Sequence, residues 1–232
     1  MTLQFLSLSF GQALSQYKSI SVAVNYSVHT KPPASTAPFG LETGMNELGF
    51  WGGVSFDSPA GNFLGLTKDR EFFIMGLRYG RIITAGWGVA LEYVLDIIPI
   101  AVVTNNPKAE DERVTISNGH TVIVQRINGW GPVYGAGLSP IGLQIYLLRS
   151  NPIKLFASGS FGFLTFIRQV PRPEARKFNY TFDFGGGFQI ITRSRWAIVI
   201  GYKYHHLSNA NTAIANPGLD ANVFYVGVSS FR

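Results

Sequence analysis

The sequence predicts an all-β protein, an eight-stranded antiparallel up-and-down transmembrane β-barrel. Three observations predict it. Segments of about ten residues alternate in hydrophobicity with period two, their connections alternate between short and long, and one face of the alternation is aromatic-rich while the other mixes glycine with charge. Composition agrees: 46% of the 232 residues are hydrophobic and only 14% charged, which excludes a disordered chain. The 26 glycines and 18 phenylalanines, with few glutamates and lysines, point away from a helical bundle. No apolar run reaches the ~18 residues of a spanning helix, since the best candidate, 93–103, is broken by Asp96 and Pro99.

Taken in order, residues 1–40 end in a Pro/Ser/Thr-rich stretch, His29 to Pro38, and read as leader and linker. The opening MTLQFLSLSFGQALSQ has a short apolar run ending in small residues but no basic n-region, so it reads as a poor secretory signal or the remnant of one. The barrel domain is expected over 41–232, with strands at about 46–56, 70–80, 85–97, 128–147, 153–167, 178–190, 195–208 and 220–231. Two are clean. Trp87, Val89, Leu91, Tyr93 and Leu95 alternate with Gly88, Glu92 and Asp96; Phe178, Tyr180, Phe182, Phe184 and Phe188 alternate with Asn179, Thr181, Asp183 and Gln189. Around Pro140 the apolar parity slips from Tyr134 and Leu138 to Ile141, Leu143 and Ile145, which predicts a bulge. The 153–167 segment shows no clear parity.

The expected long connections are 57–69, 99–127, 168–177 and 209–219, against short ones at 81–84, 149–152 and 192–194. Short turns at one end and long loops at the other are the pattern of an outer-membrane barrel. A soluble lipocalin-like barrel also alternates, but its apolar face lines the interior. Here the second face carries Glu47, Arg78, Glu92, Asp96, Asp183, Gln189 and Lys203 among dense glycine, which fits a narrow polar lumen. The end of the chain, Val226 to Arg232, resembles the terminal aromatic signal of outer-membrane proteins displaced by one residue.

The charge and the missing cysteines narrow the chemistry. The net charge of +6 is scattered and not gathered into a stripe, so no nucleic-acid partner is expected. With no cysteine, thiol nucleophiles, thiolate metal sites and disulfides are excluded together. His29 and His120 fall in presumed linker and loop without metal-ligand spacing, so no metal and no cofactor are expected.

One segment combines a nucleophile, a base and an acid: Tyr204-His205-His206-Leu207-Ser208-Asn209-Ala210, followed by Asn216-Pro217-Gly218-Leu219-Asp220. His206 and Ser208 continue the parity of the apolar positions Trp196 to Tyr204, so both face outward, toward lipid, at a strand end. A polar pair facing hydrocarbon needs a reason. Asp220 shares parity with Phe224, Val226 and Val228 on the next strand. The hairpin is expected to bring Ser208 near Asp220 across the loop, with His206 one same-face step away.

These are the parts of a hydrolytic triad: a serine hydroxyl, an imidazole to take its proton, and a carboxylate to orient and stabilise the imidazole. Asn209, Asn216 and the backbone N–H groups around Gly218 are candidate donors to a tetrahedral oxyanion. The bland alternative is a barrel rim with interfacial polar residues and an Asn-Pro-Gly turn. His205 has the opposite parity and is expected to face the lumen or rim.

On Gly201 to Ala210 and Asn216 to Asp220, with weaker support from Phe182 to Gly187, the chain resembles the lipid A 3-O-deacylase family of acyloxyacyl hydrolase-like outer-membrane proteins. The resemblance covers about 44–232 and implies His206 as base, Ser208 as nucleophile and Asp220 as orienting acid. The family's better-known members carry glutamate at that last place. It also implies an outer-membrane serine esterase that removes an acyl chain, 3-O-linked, from lipid A of lipopolysaccharide, with outer-membrane lipid around it and a homodimer as an open option. Two other readings stay open: a non-enzymatic small outer-membrane barrel with structural or adhesive loops, above all 99–127, and a soluble carrier with an apolar interior.

Overall fold

The computed structural model describes residues 38–58, 64–104, 108–115, 121–128 and 131–232; the expected leader up to residue 37 lies outside them. The described residues form ten strands: β1 (Asn46–Ser55), β2 (Glu71–Gly86), β3 (Val89–Thr104), β4 (Lys108–Thr115), β5 (Thr121–Asn128), β6 (Val133–Leu147), β7 (Ile153–Val170), β8 (Arg176–Ile191), β9 (Trp196–Ser208) and β10 (Leu219–Phe231). Eight close into one barrel in the order β1-β10-β9-β8-β7-β6-β3-β2, and β4 pairs β5 in a separate two-stranded sheet. Every pairing is antiparallel.

Three details differ from the sequence expectation. The β2–β3 turn is Trp87-Gly88 and not 81–84, because both residues take positive φ, 52° and 83°, and close a two-residue hairpin whose twist matches the strands. The segment expected as a loop from 99 contains the upper end of β3 and the β4–β5 ribbon. Asp220 lies directly opposite His206, not beside Ser208, because the register pairs Leu219 with Leu207 and Asp220 with His206. The slip at Pro140 is present as a register shift between Leu138 and Ile141.

Alternation then sorts the side chains. Outward positions such as Leu77, Ile141, Phe161, Ile198, Phe224 and Val226 are exposed, a belt that needs lipid to cover it. The inward face is polar and filled. Arg78 donates from Nε and Nη2 to both oxygens of Asp96 at 2.9 and 2.8 Å, Tyr146 donates to Glu92 at 3.0 Å, and Gln189 donates to Glu47 at 2.8 Å. Between Arg78, Asp96, Asp183 and Lys203 there remains a space of about 20 Å³, so this part of the lumen is a packed polar core. A carrier with an apolar interior is therefore excluded.

The turns 87–88, 148–152 and 192–195 share one end with the start of β1 and the end of β10. There the backbone of Phe39 to Leu41 is bound by Lys154, Arg195 and Arg149, each donating to a carbonyl. The connections 56–70, 171–175 and 209–218 share the other end with the ribbon, and the chemistry sits there.

Candidate active site

His206 and Ser208 end β9 on its outward face, continuing the line Ile198, Ile200, Tyr202, Tyr204. His206 is opposite Asp220 on β10 and Phe182 on β8, while Ser208 is opposite Tyr180. The His206 Nδ1–H donates to Asp220 Oδ1 at 2.6 Å. A carboxylate only accepts, so this bond assigns a ring proton to Nδ1; in the neutral imidazole the lone pair is then on Nε2. Ser208 is one same-face step along the strand, about 7 Å from Cα to Cα. Among the described residues no hydrogen bond joins it to His206.

Asp220 is an outward residue that is fully buried. What covers it is the loop between β1 and β2. Leu64 and Gly65 donate their backbone N–H groups to Asp220 Oδ2 at 3.1 and 2.8 Å. The same segment is laced to the hairpin loop, with Leu66 N–H on Pro217 O at 2.6 Å and Thr67 N–H on Gly218 O at 3.2 Å. The Tyr204 hydroxyl interacts with Asp220 as well. A carboxylate held on a lipid-facing wall is costly unless its lone pairs are met, and here both oxygens are met.

The candidate oxyanion donors divide. Asn209 is buried and its donors are engaged: the backbone N–H bonds Asn216 Oδ1 at 3.0 Å and Nδ2 bonds Ala215 O at 2.8 Å. Asn209 therefore shapes the 209–216 loop, and its bond to Oδ1 orients Asn216. Gly218 has φ 55° and is packed so closely that a Cβ there would stand 3.3 Å from His206 Cε1 and 3.1 Å from Gly65 Cα. Only glycine combines that backbone with that contact.

Two surfaces flank the site on the outer wall. On one side is an aromatic bank in which Phe161 stacks on Phe182 at 4.8 Å, Phe163 on Phe178 at 5.5 Å, and Phe184 meets Tyr204 at 5.0 Å. On the other is an apolar groove of about 840 Å³ across β1, β2, β9 and β10, walled by Phe50, Met75, Ile200 and Phe224 and floored by Gly52 and Gly227. Its β9 wall, Ile198 and Ile200, lies on the line that ends in His206 and Ser208.

His205 faces inward, as its parity predicts. Its Nδ1–H donates to Asp183 Oδ1 at 2.5 Å, its ring stacks on Phe72 with centroids 4.8 Å apart, and it is 2% exposed. No group of three or more potential metal ligands occurs among the described residues. The Leu64–Gly65 contact was invisible in the sequence, since nothing local marks two backbone amides as partners of a side chain 155 residues away.

A family model described as "Lipid A 3-O-deacylase (PagL)" matches residues 108–229, more than half of the chain. Among solved structures, the chain is similar to the outer membrane enzyme PagL, at 12% identity and TM-score 0.49 over 78% of this chain and 97% of that one. It is also similar to Neisserial surface protein A, at 8% identity and TM-score 0.46 over 81% and 97%. A third similarity is to the attachment invasion locus protein Ail of Yersinia pestis, at 13% identity and TM-score 0.41 over 82% and 99%. No match to a curated protein sequence was found.

Proposed function

The chain belongs to the lipid A 3-O-deacylase (PagL) family, a lipid A deacylase of the bacterial outer membrane, and on that premise we propose that it cleaves the 3-O acyl ester by a serine mechanism. Ser208 is the nucleophile, His206 the base and Asp220 the orienting acid. The observation that carries this reading is the His206–Asp220 pair, 2.6 Å long, on the outer wall beside Ser208. A substrate that is itself part of the membrane meets such a site without entering the lumen.

In this mechanism Ser208 Oγ attacks the ester carbonyl as its proton passes to His206 Nε2. Asn216 and the Gly218 backbone supply the donors to the oxyanion, while Asn209 holds their loop. Collapse breaks the bond to the sugar oxygen, which takes the proton from the His206 imidazolium and leaves as the free hydroxyl. Water, deprotonated by the same imidazole, then attacks the acyl-serine and releases the fatty acid. The Oγ–Nε2 bond forms as substrate seats, since such bonds are often long before the substrate arrives. The groove along β9 and β10 takes the acyl chain being removed, and the aromatic bank packs against the chains that remain.

A non-enzymatic barrel with adhesive loops gives no reason to hold an aspartate with two amides and an imidazole on a lipid-facing wall. The test is mass spectrometry of lipid A from cells making the protein or its Ser208→Ala variant. Loss of one 3-O-linked acyl chain only with the intact serine is the expected result. The same acyl pattern from both, with both proteins folded in the membrane, overturns the reading.

A further inference from the structure

We propose that the Leu64–Thr67 segment of the β1–β2 loop is a positioning element of the catalytic site, holding Asp220 so that one carboxylate oxygen is presented to His206. The inference rests on the triad reading above. It goes beyond it by assigning a role to residues far from the hairpin that carries the triad, and outside the 108–229 stretch matched by the family.

The geometry divides the two oxygens of Asp220. Oδ2 accepts the Leu64 and Gly65 amides, and Oδ1 accepts the His206 Nδ1–H. With Oδ2 pinned by two donors, the carboxylate plane is fixed, and with it the direction in which Oδ1 presents its lone pair to the imidazole. The amides also replace water. Asp220 stands on the wall that faces lipid yet has no exposed surface, so the backbone of another loop supplies what solvent does for an ordinary carboxylate.

The fit requires glycine at 65. A Cβ there would lie 2.8 Å from Asp220 N and 2.9 Å from both Cγ and Oδ1, a contact with backbone and with the carboxylate itself. Gly218 repeats the requirement from the opposite side, against Gly65 Cα and His206 Cε1. Two glycines thus meet beside the acid and the base, and the bonds from Leu66 and Thr67 to Pro217 and Gly218 lock the loops in register.

The experiment is steady-state kinetics on lipid A micelles with full-length protein, comparing Gly65→Ala in the wild-type and Asp220→Ala backgrounds. The expected result is a kcat lowered about a hundredfold, from displacement of the acid by a fraction of an ångström to an ångström. KM should stay within about twofold, because substrate contacts are untouched. In the Asp220→Ala background the same change should cost less than about twofold, because the group through which it acts is gone. Leu64→Pro removes one donor without adding a side chain at 65 and should give a smaller fall in kcat, about tenfold. Folding of each variant is read from heat-modifiable mobility on gels, and Leu64→Pro keeps the test open if Gly65→Ala does not fold. Wild-type kcat in the folded variants, or a Gly65→Ala loss that persists undiminished in the Asp220→Ala background, overturns the proposal. Ser208→Ala with wild-type turnover would instead overturn the triad beneath it.

Discussion

Adjacent residues His205 and His206 each give the Nδ1–H to an aspartate, at 2.5 Å to Asp183 and 2.6 Å to Asp220, yet they stand on opposite faces of one strand. Inside the barrel, Asp183 also accepts from Ser160 Oγ at 3.0 Å and lies 3.6 Å from Lys203 Nζ, so the carboxylate sits between the serine and the imidazole. The inner Nε2 is enclosed, with no partner among the described residues, and the ring is covered by Phe72. Outside, the imidazole is bound to the aspartate on one side, Ser208 lies one same-face step along the strand, and His206 is 13% exposed at the rim. The same three residue types therefore form a closed structural cluster on one face and, on the other, the set proposed above as the triad. What separates them is the sequence of contacts and access to the membrane, not the strength of the His–Asp bond.

The largest expected effect that can break this comparison comes from the paired histidine changes. His206→Ala should lower deacylation about a thousandfold or more, in line with loss of the general base of a triad. His205→Ala should leave kcat within about fivefold and instead cost about 1–3 kcal/mol of barrel stability, because Asp183 loses a buried donor. Rates on lipid A and unfolding in detergent by urea check the two halves. Equal loss of activity in both variants would mean that the faces are not functionally distinct.

Next in size is the pair of acids. Asp220→Asn keeps the shape but no longer favours the Nδ1–H tautomer, and should lower kcat about a hundred- to ten-thousandfold. Asp183→Asn should leave turnover near wild type, with its effect seen in stability. Comparing kcat for the two amides in the same vesicles decides it.

A smaller loss is expected for Asp220→Glu, which sharpens the comparison by asking how rigid the outer site is. From the sequence, a strand-end acid near solvent is expected to tolerate one more methylene. The fully buried carboxylate under Gly65 reverses that expectation: kcat should fall about tenfold or more, although glutamate is the residue of the family's better-known members. Full activity would show that the β1–β2 loop yields. The least effect belongs to Ser160→Ala, which should leave turnover unchanged within about twofold, because Ser160 Oγ is bound to the carboxylate and not to an imidazole.

Much of this was legible in the sequence because period two is local. The alternation of Phe178 to Ile190 assigned Asp183 to the lumen, and that of Trp196 to Tyr204 placed His206 and Ser208 outside and His205 inside. The parts that were not legible are non-local or break the period. Lys108 to Arg113 reads as a loop because spanning strands seldom carry so many charges, yet it pairs as a ribbon beyond the barrel wall. The opposition of Asp220 to His206 depends on hairpin register, which the long 209–218 connection leaves unfixed by turn type. The Leu64 and Gly65 amides leave no side-chain signal, since any residue but proline carries that donor.

In the proposed mechanism the outer His–Asp pair activates Ser208 and the inner pair activates nothing. The most direct measurement is labelling of the folded protein in lipid vesicles with an alkyl fluorophosphonate, read by intact mass and peptide mapping. One equivalent on Ser208 is predicted, lost in His206→Ala, retained in His205→Ala, and with Ser160 unlabelled throughout. Label on Ser160 or another serine, or labelling of Ser208 that survives His206→Ala, would contradict it.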